Sequence, residues 1–252
     1  MTQYETDGTA VAVPRKEAYR YLGYRGITPD AAVSECLERC VEQLQKECHP
    51  RAVWERYPLR IEKTAGESAL PETPDGAGRG QAAKDAKETG PCRIVVGDLR
   101  FTSNDLGRNL DGCTTVVLMA ATIGLGVDYL IRRAEARSMA EAAVFQAAGA
   151  AMVEAWCDTV NQRIVEALRK EGLFARPRFS PGYGDAPLSL QKDFSRLLAM
   201  PATCGISLTD TLLMVPSKSV TAFIGFSEQN KECVIAGCEA CGKRESCVYH
   251  RV

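Results

Sequence analysis

The chain has 252 residues, 45% of them hydrophobic and 25% charged, the balance of a globular protein with a sizeable core. Lysine and arginine total 31 against 32 acidic residues, a net charge of −1, so the basic footprint that nucleic-acid binding relies on is missing. The opening MTQYETDGTAVAVPRKEAYR shows no basic region followed by an apolar run. The most apolar later stretch, Ala142 to Val153, falls well short of the roughly 20 residues that span a bilayer, so a cytoplasmic protein without membrane or nucleic-acid partners is expected.

Thr28-Pro29 supplies a capping hydroxyl and a proline suited to a first helical turn. The stripe Val33, Cys36, Leu37, Cys40, Val41, Leu44 then predicts a helix to about Glu47, with Cys36 and Cys40 as small buried apolar groups. Tyr57–Glu62 and Cys92–Gly97 read as short strands. Between them, Lys63 to Pro91 is rich in Gly, Pro, Ala, Lys and Glu with almost nothing to bury. It reads as a mobile surface loop within one domain, because closing a longer loop costs only about 0.6 kcal/mol per doubling of length and the flanking strands can still pair.

Thr114–Ala121 is a continuous, partly β-branched apolar run, which predicts a central strand covered on both faces. Ser138-Met-Ala-Glu141 is a capping box opening the longest helix, which Gly172 stops. The side chains of Ala147–Ala151 in its middle are small enough for another backbone to approach closely. A helix from near Ser189 follows, then strands Thr211–Val215 and Ser219–Phe226 joined at Pro216-Ser-Lys218. The order of elements predicts a mixed α+β domain over residues 1–230 and a Cys-rich tail over 231–252.

Arg178-Phe-Ser-Pro-Gly-Tyr-Gly-Asp185 is a turn-rich loop carrying a guanidinium, a phenol and a carboxylate. Arg178 can fork onto a carboxylate, Gly182 lets a ligand approach the backbone, and Tyr183 offers a π face to a cation. A zwitterionic or sulfonium ligand matches that set, whereas a plain surface turn with Tyr183 packed on the core is the competing reading.

The pattern Arg178-x-x-x-Gly182-Tyr183, followed by Ser207-Leu-Thr-Asp-Thr-Leu-Leu-Met-Val-Pro-Ser-Lys-Ser-Val220, resembles the activation domain of cobalamin-dependent methionine synthase. Met152-Val-Glu-Ala-Trp-Cys-Asp158 resembles the helix of that domain that gives a glutamate to the site, and the similarity runs from about Cys113 to Phe226. The resemblance implies a largely antiparallel twisted sheet with long helices and a site for S-adenosylmethionine. It also implies a role for Glu154, Arg178, Gly182 and Tyr183 in binding that ligand, with Phe223 and Ile224 packing where the family tends to place tyrosines. Gly184-Asp185 replace a proline common in the family, and Gly23 stands where an acidic ligand contact is expected.

The family presents S-adenosylmethionine to an inactive cobalt(II) cobalamin while a reduced electron carrier supplies one electron. The chain has only His49 and His250 and lacks an Asp-x-His-x-x-Gly motif, so cobalamin is expected on a partner. That partner is a corrinoid-binding protein or a methionine synthase lacking its own activation domain, and this chain is a non-catalytic or partial component of a methyltransferase system in methionine biosynthesis.

Cys233, Cys238, Cys241 and Cys247 have ligand spacing around a central Cys-x-x-Cys, which suits zinc or an iron–sulfur cluster equally; four free thiols is the plain alternative. A second functional class follows, a metal- or iron–sulfur-binding redox protein on a decayed activation-domain scaffold. An independent methyltransferase is a weaker third, because no Gly-rich nucleotide loop follows an N-terminal strand.

Overall fold

The computed structural model describes residues 1–24, 26–63 and 91–230. The readings of the stretch between residues 64 and 90 and of the tail from 231 to 252, the four tail cysteines included, lie outside the described residues.

The chain opens with strand β1 (Thr2–Glu5) and helix α1 (Arg15–Tyr21), then α2 (Ala31–Glu47). The cap of α2 is Asp30, whose carboxylate accepts from the Val33 N–H at 2.8 Å, not the hydroxyl of Thr28; the extended chain at Pro29 puts the entry two residues later than the sequence suggested. Strand β2 (Arg51–Lys63) is twice the expected length, because its first half pairs with β1 and its second half with β3 (Cys92–Val96). Glu62 faces Arg93 and Lys63 faces Cys92, so the two expected strands do pair across the intervening segment. Strand β4 (Leu99–Thr102) and helix α3 (Asn104–Asn109) follow.

Strand β5 (Thr115–Thr122) is central and every residue in it is buried. Val117, Met119 and Ala121 point into one core, Val116, Leu118 and Ala120 into the other, as the two-residue period of a strand requires. Helix α4 (Gly126–Glu135) and the 31-residue α5 (Met139–Arg169) come next. Ser138 accepts from the Glu141 N–H at 3.2 Å, and Gly172, at φ +79°, turns the chain away from the helix end.

Strand β6 (Phe174–Ala175), α6 (Leu190–Leu197), α7 (Met200–Thr203), β7 (Ser207–Leu208), β8 (Met214–Val215) and β9 (Ser219–Ser227) complete the fold. The main sheet runs β4-β3-β2-β5-β9-β6, with β1 on the flank of β2, and each pairing among the described residues is antiparallel. Helices α1, α2, α4 and α5 lie over one face and α3, α6 and α7 over the other, giving the two cores. This is the α+β architecture with a largely antiparallel sheet that the sequence suggested.

The expected hairpin of Thr211–Val215 with Ser219–Phe226 does not form. Leu212 has φ 65° and its N–H bonds the Thr209 carbonyl at 2.9 Å, so residues 209–213 form a turn. Only Met214–Val215 is extended, and it pairs backwards with Ser207–Leu208 as a separate two-stranded ribbon.

The small residues of α5 serve close packing, as expected. A Cβ on Gly149 would lie 2.8 Å from Val127 Cγ2 of α4 and 3.5 Å from the Lys218 side chain. The 216–218 turn is held there by Lys218 Nζ donating to Gln146 Oε1 at 2.8 Å and by the Ser217 N–H donating to Asp128 Oδ2 at 3.1 Å. No helix among the described residues is long and apolar enough to cross a membrane.

Candidate functional site

After β6 the chain continues beside the second half of β9. The Arg176 N–H bonds the Gly225 carbonyl at 2.7 Å, and Phe179 and Phe223 exchange both of their backbone bonds at 2.9 and 2.8 Å. Phe179 packs into the core under α6, so strand alternation sends its neighbour Arg178 to the opposite face, where α5 runs.

There Arg178 meets two carboxylates one helical turn apart, Asp158 at 2.8 Å and Glu154 at 3.5 Å. The sequence pointed to Glu154 and missed Asp158, although an acid at i+4 lies on the same helix face and was legible as such. Both carboxylates are substantially open to solvent, 41% for Glu154 and 73% for Asp158. Such pairs hold by only about 0.2–1 kcal/mol, so a ligand carboxylate can take Arg178 from them at small cost.

Beneath the cluster, burial pushes the Cys157 thiol up to about 12, with the Glu154 and Asp158 charges adding to it against the pull of Arg178. Cys157 is thus a protonated core group and not a nucleophile. Tyr21, at the end of α1, joins the cluster: burial first, then the Glu154 charge, raise its hydroxyl above the ordinary tyrosine range. Gly23, where the resemblance called for an acid, lies just past α1 in a left-handed turn at φ +92°. The side chain that α1 brings within range of Glu154 is therefore the phenol of Tyr21.

Glu154, Ser180, Pro181 and Tyr183 line one end of a groove of about 780 Å³, within the size range of small-molecule sites. The groove passes the uncovered edge of β9 at Ser219–Thr221 and is walled by α4, the start of α6 and the 209–215 turn. Six of the nine exposed large apolar side chains among the described residues, Leu125, Tyr129, Tyr183, Leu188, Leu213 and Val215, belong to its lining. An apolar concentration of that kind on a concave face marks a binding surface.

The remaining sequence-named residues are placed differently. Gly182 does not line the groove: its N–H is bonded to the Ala186 carbonyl at 3.0 Å, and its φ of +88° shows that the glycine is there to turn the chain. Phe223 and Ile224 also stay out of the groove, both being wholly buried. Phe223 packs under α6 against the Phe194 ring at 4.8 Å, and Ile224 lies in the opposite core under α5. The open part of β9 begins earlier, with Ser219, Val220 and Thr221.

Asp185, which with Gly184 follows Tyr183 where the family often has a proline, fastens the loop. Its carboxylate accepts from the Ser103 hydroxyl and from the Asn104 and Asp105 N–H groups at 2.5, 2.6 and 3.0 Å, and its own N–H donates to Asp105 Oδ2. Burial works against ionisation, but these donors outweigh it and hold the carboxyl below the usual carboxylate range. Among the described residues no group of three or more metal-ligating side chains is found.

The sequence profile described as "Vitamin B12 dependent methionine synthase, activation domain" matches residues 109–240, just over half of the chain, and reaches past the sequence-based limit of Phe226 into the tail. Among solved structures, the "MetH Reactivation Domain bound to AdoHcy" is similar over 92% of this chain and 79% of its own, with a TM-score of 0.60 at 16% identity. No curated protein matches the sequence. With its fold and its charged cluster in view, the chain belongs to the family of vitamin B12-dependent methionine synthase activation domains.

Proposed function

We propose that this protein binds S-adenosylmethionine in the groove beside Tyr183 and acts in trans, in the cytoplasm, as an accessory module for reductive methylation of a cobalamin- or corrinoid-dependent methyltransferase. A methionine synthase without its own activation domain is the partner that fits best.

The observation that carries this reading is the meeting of Arg178 with Asp158 and Glu154, of which Glu154 lines the groove. S-adenosylmethionine has one carboxylate and two cationic centres, the ammonium and the sulfonium. The cluster has one guanidinium and two carboxylates, with the face of Tyr183 close by, so the donor set matches the ligand charge for charge. A solved relative of the same fold holds AdoHcy, which is the same ligand without its methyl group.

In this reading Arg178 takes the ligand carboxylate, Glu154 and Asp158 face the cations, and the apolar rim excludes water once a partner covers it. When bound, the ligand supplies the activated methyl group. The cobalt and the electron come from the partner and a reduced carrier, and the chain itself is not catalytic. The tail cysteines, Cys233, Cys238, Cys241 and Cys247, are proposed to hold zinc or an iron–sulfur cluster. The absorbance and metal content of anaerobically purified protein separate the two, and a colourless, metal-free protein overturns that part.

Calorimetric titration with S-adenosylmethionine tests the binding role. The wild type is expected to bind, and Arg178→Ala to lose about ten- to a hundredfold in affinity, the worth of one charged hydrogen-bonded contact; a wild type that gives no heat overturns the reading. The trans role is tested by adding the protein to an inactivated methyltransferase with a reductant. Recovery of activity that depends on Arg178 is expected, and recovery without the protein contradicts the role.

A further inference from the structure

Packing does little to hold Tyr183, which is 70% exposed. Two glycines in the left-handed region flank it, Gly182 at φ +88° and Gly184 at φ +54°. The loop closes on itself by backbone bonds, from the Tyr183 N–H to the Ser180 carbonyl at 3.2 Å and from the Ala186 N–H to the Tyr183 carbonyl at 3.0 Å. Glycine-flanked, solvent-exposed turns belong to the least stable parts of a fold unless a rigid element fixes them.

Helix α3 is that element, and it holds the loop at both ends. At the entry, Asn109 Nδ2 donates to the Pro177 carbonyl at 3.3 Å, one residue before Arg178. At the exit, Asp185 and the start of α3 exchange bonds. The Asp185 carboxylate accepts from the Ser103 hydroxyl and the Asn104 and Asp105 N–H groups, while the Asp105 carboxylate accepts from the Asp185 N–H at 3.2 Å. A Cβ on Gly184 would overlap the Asp105 carboxylate, so the glycine lets the two segments close up. The helix is itself anchored to the sheet. The Ser103 N–H donates to the Cys92 carbonyl at 3.1 Å, and the Cys92 N–H donates to Asn104 Oδ1 at 2.9 Å. Leu106 and Leu110 are wholly buried, and a Cβ on Gly107 would lie 2.8 Å from Cys92 Cβ. Yet the lining of the groove includes neither Asp185 nor any residue of α3.

We infer that Asp185 and Asp105 are positioning residues, a latch that makes α3 the frame holding the Tyr183 ring against the sulfonium of the ligand. The latch thereby sets how strongly the protein prefers S-adenosylmethionine to S-adenosylhomocysteine. This rests on the reading of the groove as an S-adenosylmethionine site and extends it to residues that do not touch the ligand. A cation gains from an aromatic face only within about 6 Å of the ring centroid, so a small drift of Tyr183 forfeits the contact. The uncharged thioether of S-adenosylhomocysteine has no such contact to lose.

The test measures both ligands by calorimetry on the wild type, Asp185→Asn, Tyr183→Ala and the double variant. Asp185→Asn is expected to weaken S-adenosylmethionine by about three- to tenfold and S-adenosylhomocysteine by about twofold or less. In the Tyr183→Ala background the same substitution is expected to cost S-adenosylmethionine no more than about twofold, because the contact it served is gone. An Asp185→Asn that binds S-adenosylmethionine as the wild type does overturns the latch and leaves the binding role intact. So does one that weakens both ligands by the same factor in both backgrounds, the mark of a merely structural role. A wild type that binds neither ligand overturns the binding role and the latch together. If Asp185→Asn fails to fold, Ser103→Ala, which removes one donor and keeps both carboxylates, carries the same comparison with the same outcomes.

Discussion

Asp158 changes the chemistry of the site from a simple ion pair to a balanced cluster. On the proposed reading, a ligand carboxylate bound at Arg178 would displace Asp158, leaving it to face the ligand's cations. S-adenosylhomocysteine lacks the sulfonium, so Asp158→Asn is expected to shift the affinity ratio towards it by about two- to fivefold, the size of an exposed charge pair; an unchanged ratio in competition titrations places Asp158 outside the site. Asp185 acts on the loop instead. Its folded pKa lies below the unfolded value of about 3.9, so its contribution is present above that value and is lost as pH falls through it. Wild type is expected to melt above Asp185→Asn at pH 7, by about 1 kcal/mol or less because the group is solvent-exposed, and the gap is expected to close below pH 4. A gap that persists in acid refutes the carboxylate's role. Arg178 and Tyr183 stood out in the sequence by their chemical types, and Glu154 through the family resemblance of its helix. Asp158 and Asp185 did not, since their roles arise from a helix face and from a contact with Ser103 some eighty positions away.

The long helix and the central strand were read from sequence because both carry dense local signals: a capping box with a glycine stop, and an unbroken apolar run. The same logic applied to Val220–Phe226 would have shown that Phe223 and Ile224 face two cores, so their assignment to a ligand was an error that periodicity could have corrected. The Thr211–Val215 strand failed for a different reason, a left-handed Leu212 that composition does not announce. At Gly149 the helix preference for alanine and the packing against α4 oppose each other. Alanine gains about 1 kcal/mol in helix propensity, but its Cβ at 2.8 Å from Val127 Cγ2 costs about 1–3 kcal/mol. Gly149→Ala is therefore expected to lower the denaturant midpoint, and Val127→Ala in the same chain to recover part of the loss as a non-additive term. A more stable Gly149→Ala shows that the helices are not in close contact there.

Across the whole molecule, the sheet separates two cores and leaves one part of one edge bare, where β9 has lost its neighbour and before the 209–215 turn closes in. Glu154 of the charged cluster and the apolar rim line the groove at that gap. No single segment of sequence contains it, which is why the groove could not be read from motifs. A crystal structure of the protein grown with S-adenosylmethionine tests the central claim most directly. The expected map shows the ligand carboxylate on Arg178 in place of Asp158, with the ligand running past Tyr183 over the edge of β9. An Arg178 still bound to Asp158 beside an empty groove, at saturating ligand, contradicts it.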